Sequence, residues 1–176
     1  TMARMGAYLT VSSVGTILAG VGLFTPDSLS AALYYTLHST IVIAGLFLLV
    51  ELLASHRGAV GDRLQPAPAV REPVLLGLMM LFGAASAAGL PPLPGFLGKL
   101  MILQSSHGLA AQPVLWTVVL VVGFLSMVGL ARAGVVLFWH VQPAANGHPA
   151  SGSSAKMLSA TWAFMVMSVV LAVVAA

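Results

Sequence analysis

Cysteine is absent from this sequence, which excludes disulfides and thiolate metal sites. Charge is nearly absent as well. Asp, Glu, Lys and Arg make up 6% of the 176 residues, whereas a soluble domain needs roughly a quarter to cover its surface. Most of the surface must therefore face lipid. The residual net charge is +3, but no basic cluster is interleaved with aromatics, so nucleic acid is not an expected partner. His56, His107, His140 and His148 are too scattered for ligand spacing, and no metal is expected. No nucleophile–base–orienter set and no phosphate-binding glycine loop occurs, so the chain does not read as an enzyme and implies no cofactor.

What is present is apolar sequence in lengths suited to a bilayer, about 20 residues per crossing. Candidate spans run over 5–24, 33–53, 73–107 (interrupted at 89–95), 114–139 and 157–176. The apolar stretch after Thr1 and Met2 has no small-residue cleavage site and reads as a span rather than a signal peptide. Thr25-Pro26-Asp27-Ser28 is a turn signal, the linker around 54–72 is polar, and 142–154 is rich in Ser, Gly and Pro. The fold expected is all-α: a single polytopic membrane helix bundle over residues 1–176.

Whether 73–107 crosses once or twice is settled by charge. If it crosses once, Arg4, the 54–72 linker and the Arg132–Lys156 stretch share one side, and the other side carries no Lys or Arg. The positive-inside rule then gives five crossings, with loops 54–72 and 141–156 cytoplasmic and the N-terminus inside.

The interruption is Gly89-Leu90-Pro91-Pro92-Leu93-Pro94-Gly95, followed by Phe96-Leu97-Gly98-Lys99. Its prolines and glycines free backbone groups that hydrocarbon does not satisfy, so the break must lie within protein or beside water. Broken helices of this kind build ion and substrate sites near the midplane of transporters. Lys99 would occupy the first turn of the second half-helix, where the positive end of the helix dipole repels an ammonium. An ionisable residue at that depth marks an ion or proton pathway. The plainer alternative is an amine that snorkels or bonds a backbone carbonyl.

Several stretches resemble the D-type membrane component of the Mrp/Pha-type multisubunit monovalent cation/proton antiporters, which is related to the antiporter-like membrane subunits of respiratory complex I. Ala7-Tyr8-Leu9-Thr10-Val11-Ser12-Ser13-Val14-Gly15 is similar to that family's LAYSSISHIG segment. Tyr34 to Thr40, followed by Leu46 to Leu49, resembles its histidine-bearing helix. Gly61-Asp62-Arg63-Leu64 fits its linker, and Arg132-Ala133-Gly134 with Leu137-Phe138-Trp139 fits the helix after the break. Gly89 to Lys99 matches GLPPLSGFLGK. The resemblance covers almost the whole chain and implies the last five helices of a longer subunit, the second half of an inverted-repeat antiporter-like fold.

It also implies a secondary-transport role in a bacterial plasma (inner) membrane, with Na⁺ or K⁺ exchanged for protons. Lys99 and His38 would relay the protons. Other antiporter subunits and the missing N-terminal repeat would be partners. The alternative is a proton-pumping subunit of a redox assembly, complex I or a membrane hydrogenase. Where many complex I-type relatives carry a lysine this chain has Ile43, and their second histidine corresponds to Ser39. A relay here therefore rests on His38, with Ser39 and Thr40 beside it.

Among the remaining polar groups, Ser12 and Ser13 are candidates to line a hydrated path, although membrane serines commonly bond back to their own helix. By the expected boundaries His38 lies five residues into its helix, close to the outer interface. Glu51 reads as an interfacial carboxylate paired with Arg57 or His56. Arg132 reads as a structural or subunit contact. Trp116, Trp139 and Trp162 fall near span ends, as in an aromatic belt.

Overall fold

A computed structural model of the chain describes residues 1–68, 70, 72–140 and 155–175. The expected loop at 142–154, with His148, and Arg71 of the linker lie outside the described residues. The architecture is all-α: α1 (Met2–Gly22), α2 (Pro26–His56), α3 (Pro73–Ala88), α4 (Pro94–Gln104), α5 (Gln112–Phe138) and α6 (Ala155–Ala175), with one 3₁₀ turn at Gly58–Val60. No strand occurs among the described residues. Helices α1, α2 and α5 are each long and apolar enough to cross a membrane. The chain is a polytopic membrane helix bundle in which α3 and α4 are the halves of one discontinuous helix.

Helix α2 is the axis of the bundle, packing against α1, α3, α4 and α6. It starts seven residues before the expected Leu33, for a local reason. The Thr25 hydroxyl accepts from the Ser28 N–H, and the Ser28 hydroxyl accepts from the Thr25 N–H, forming a capping box with Pro26 in the first turn. The residues that read as a turn signal are thus a helix start. His38 consequently follows Pro26 by twelve residues, about 18 Å along the axis at 1.5 Å per residue. It is buried in mid-helix rather than five residues from the helix start.

Helices α3 and α4 lie end to end along α5. The Phe138 ring sits beside Gly77 of α3, Gly123 lies beside Ala88 and Lys99, and the Trp116 indole N–H donates to the Leu103 carbonyl of α4 at 3.2 Å. Helix α2 follows the same path. Leu46 packs on Gly83, His38 on Gly95 and Tyr35 on Gly98. A single continuous helix on each side thus matches the two half-helices in succession, the geometry of one interrupted rod. The large apolar core contains Leu49, Leu52 and Leu53 of α2, Leu76 and Met79 of α3, and Leu130 of α5.

The linker after α2 is held by Arg57, which is 5% exposed. Its guanidinium donates to the carbonyls of Gly61 (2.9 Å), Arg63 (2.6 Å) and Gln65. Burial pushes its pKa down from the ordinary value, and the Asp62 carboxylate opposes that shift. Asp62 also receives the first turn of α1. Its carboxylate accepts from the Ala3 N–H at 3.3 Å and its backbone carbonyl from the Met2 N–H at 2.8 Å, where the helix dipole favours an anion. The expected pairing of Glu51 with Arg57 or His56 is not seen. Glu51 is exposed, and Arg57 is turned to carbonyls instead.

Candidate functional site

Every α-helix ends with four carbonyls that lack an intrahelical partner. At the end of α3 these belong to Ala85, Ser86, Ala87 and Ala88. Gly89, at φ 82°, takes the left-handed conformation that glycine adopts without penalty. Its N–H reaches the Ala85 and Ser86 carbonyls at 3.1 and 3.2 Å, and the Leu90 N–H reaches Ala85 at 2.9 Å, a Schellman closure. Ala87 and Ala88 are left over. The Lys99 ammonium reaches back across the break to both, with Nζ 2.8 Å from the Ala88 oxygen and 3.5 Å from that of Ala87.

Lys99 thus bonds backbone carbonyls, as the plainer sequence alternative had it, and does so across the break between α3 and α4. It lies one turn further into α4 than expected, because the helix begins at Pro94, inside the 89–95 interruption. Its charge faces the negative end of α3, where a helix dipole favours a cation. The repulsion expected from the start of α4 is therefore offset by attraction from the end of α3.

His38 comes to the same place from α2. Its buried ring faces the backbone carbonyl of Ser86, interacts electrostatically with Lys99, and stands 6.1 Å from the Tyr35 ring, centroid to centroid. Gly95 makes this approach possible. A Cβ there would collide with the Ser86 carbonyl oxygen and stand 2.8 Å from His38 Nε2. Between His38 and Lys99 lies a cavity of about 10 Å³, room for one water molecule. Ser13, Ser39 and Ser126 line it, together with Tyr35. All three serine hydroxyls donate to carbonyls of their own helices: Ser13 to Thr10 (2.9 Å), Ser39 to Thr36 (3.2 Å) and Ser126 to Val122 (2.8 Å). Their protons are committed, so they offer the cavity oxygen lone pairs.

Of the residues singled out from sequence, Lys99, His38, Ser39, Ser12 and Ser13 meet at this cavity. Gly89, Pro94 and Gly95 shape the break; Pro91 and Pro92 are exposed within it. Thr40 turns away, exposed, with its hydroxyl donated to the Thr36 carbonyl at 2.8 Å. Arg132 is exposed on α5, and Glu51 lies far along α2. Sequence reasoning missed Tyr35, Ser86 and Ser126. Tyr35 carries a sequence signal, three residues before His38 and hence on its face; Ser86 and Ser126 carry none. A larger cavity of about 600 Å³ lies between α3 and α5, but its lining is apolar and holds no titratable group.

Residues 1–129 match the family described as NADH:quinone oxidoreductase/Mrp antiporter, TM. The chain is 32% identical over 132 residues to the D component of a Na(+)/H(+) antiporter of Bacillus subtilis (strain 168), covering 75% of this chain and 26% of that protein. It is 31% identical to the D component of a probable K(+)/H(+) antiporter of Rhizobium meliloti (strain 1021), covering 78% and 31%. It is 39% identical over 127 residues to the N component of an NADH-quinone oxidoreductase of Thioalkalivibrio sulfidiphilus (strain HL-EbGR7), covering 72% and 25%. The chain therefore matches about a quarter to a third of the length of these relatives. It belongs to the NADH:quinone oxidoreductase/Mrp antiporter transmembrane family.

Proposed function

We propose, on the premise of that membership, that this chain is the proton-carrying part of a monovalent cation/proton antiporter subunit, with Lys99 and His38 as the groups that relay the proton. The observation that carries the reading is the Lys99 ammonium bonded at 2.8 Å to the Ala88 carbonyl, inside the break and beside His38. A neutral carbonyl, unlike a carboxylate, leaves the amine free to exist without its proton, which a relay needs. All four Asp and Glu carboxylates of the chain sit elsewhere: Asp27 in the first turn of α2, Glu51 near its end, Asp62 in the linker, and Glu72 at the start of α3. The one-water cavity supplies the connection, with hydroxyl oxygens to hold the water in place.

In this reading the chain makes five crossings of a bacterial plasma membrane, α3 and α4 sharing one. The Arg57 linker and the 141–156 loop are cytoplasmic. Exchange of Na⁺ or K⁺ requires the rest of the protein and its partner subunits, so the chain alone is not a transporter. The test is Lys99→Ala in the full-length protein within its assembly. Exchange driven by a pH gradient, followed with a fluorescent dye in everted vesicles, should fall to background; undiminished exchange defeats the proposal.

The second reading, a proton-pumping subunit of a redox assembly, is favoured by the 39% identity to an NADH-quinone oxidoreductase component. The two readings part on copurification. Antiporter subunits in the purified assembly support the first, and dehydrogenase subunits the second.

A further inference from the structure

Eight serines and threonines are buried among the described residues: Ser13, Thr16, Ser28, Ser39, Ser86, Ser106, Thr161 and Ser168. Six of them donate to a carbonyl one turn back in their own chain, at 2.6 to 3.2 Å. Ser86 and Ser168 make no such bond. Ser86 is 0% exposed, and leaving a buried hydroxyl unpaired is destabilising. It sits in the last turn of α3, in the residue whose carbonyl faces the His38 ring, and His38 Nδ1 is itself buried without a partner. An unspent hydroxyl and an unspent ring nitrogen thus belong to two neighbouring residues.

The needs of the two match. A neutral imidazole requires one acceptor for its N–H and one donor for its bare nitrogen; an imidazolium requires two acceptors. Ser86 offers a fixed acceptor, the backbone carbonyl, and a rotatable hydroxyl that donates or accepts. A hydroxyl, a strong donor and a strong acceptor on one rotor, follows both protonation states without moving the backbone. We infer that Ser86 is the positioning residue for His38: its carbonyl faces the ring, and its hydroxyl, unbonded in this state, is the group free to turn to the ring as the proton comes and goes. This rests on the relay reading above and adds to it the group that keeps His38 aimed. The other titratable groups facing the ring are Lys99 from α4 and Tyr35 from α2, and both are kept intact in the test.

The experiment is a double-mutant cycle on exchange in the full-length protein, with Ser86→Ala, His38→Ala and the double variant measured across pH at matched membrane levels. Ser86→Ala should slow exchange about tenfold and displace its pH profile. In the His38→Ala background, the same change should do nothing further. If Ser86→Ala is as active as the parent while His38→Ala is impaired, the inference fails and the relay reading stands. Equal added losses in both backgrounds likewise overturn it, by showing a packing role. If His38→Ala is fully active, both fall together. Should Ser86→Ala not accumulate, Ser86→Cys, close in shape and a weaker donor, takes its place under the same criteria.

Discussion

At the residue scale the tightest constraint is Gly95. A methyl group there has nowhere to go, because the colliding atom is the Ser86 backbone oxygen, fixed by the last turn of α3, and His38 Nε2 stands close behind it. Gly95→Ala should therefore push α4 off α2 and α3, at an overpacking cost of about 1–3 kcal/mol. We expect exchange to fall by well over tenfold although Lys99 and His38 both remain; the comparison is with Gly15→Ala, where an added Cβ meets nothing within 4 Å. Wild-type exchange in Gly95→Ala would show that the contact between the two half-helices and His38 is incidental.

At the scale of elements, the break is what frees carbonyls for Lys99. Replacing residues 89–94 with six alanines would let α3 run on into α4 and bond Ala87 and Ala88 within the helix. Lys99 would lose both acceptors. Exchange should vanish while helical content by circular dichroism stays the same or rises slightly; retained exchange would mean that the interruption is not what the amine requires. This element was legible in the sequence, since three prolines among glycines have no other place within apolar sequence. The start of α2 was not, because Thr25-Pro26-Asp27-Ser28 suits a turn and a capped helix start equally, and only the reciprocal Thr25–Ser28 bonds distinguish them. That one ambiguity moved His38 from the first turns of its helix to the middle. The cavity was half legible. Serines at 12, 13 and 39 belong to recognisable segments. Ser126 comes to the cavity, and Ser86 to His38, only through packing between α2, α3, α4 and α5, which no spacing along one helix encodes.

At the scale of the whole molecule, the Arg57 clasp ties the end of α2 to the linker and, through Asp62, to the start of α1. Arg57→Ala leaves three carbonyls without their donor and Asp62 without its countercharge. A loss of about 1–3 kcal/mol is expected, the cost of leaving buried acceptors without their donor, with early protease cutting near residues 58–65. Unchanged melting and cutting would show the clasp to be dispensable. The topology is testable directly because this chain has no cysteine. Single cysteines at Gln65 and at Ala110, in an otherwise cysteine-free parent, should react with a membrane-impermeant maleimide from the cytoplasmic and outer faces respectively. Labelling of both from one face would break the single interrupted crossing.

The pairing of Lys99 with carbonyl dipoles, and with none of the chain's carboxylates, has an electrical consequence. If Lys99 relays the proton as proposed, a proton on that amine is a charge with no carboxylate partner, partway through the insulating layer. Moving one elementary charge across a full 100 mV drop is worth about 2.3 kcal/mol, so roughly 1 kcal/mol acts on a charge halfway. Occupancy of the amine would then follow membrane voltage as well as pH, giving the site electrogenic behaviour that a pre-neutralised ion pair would lack.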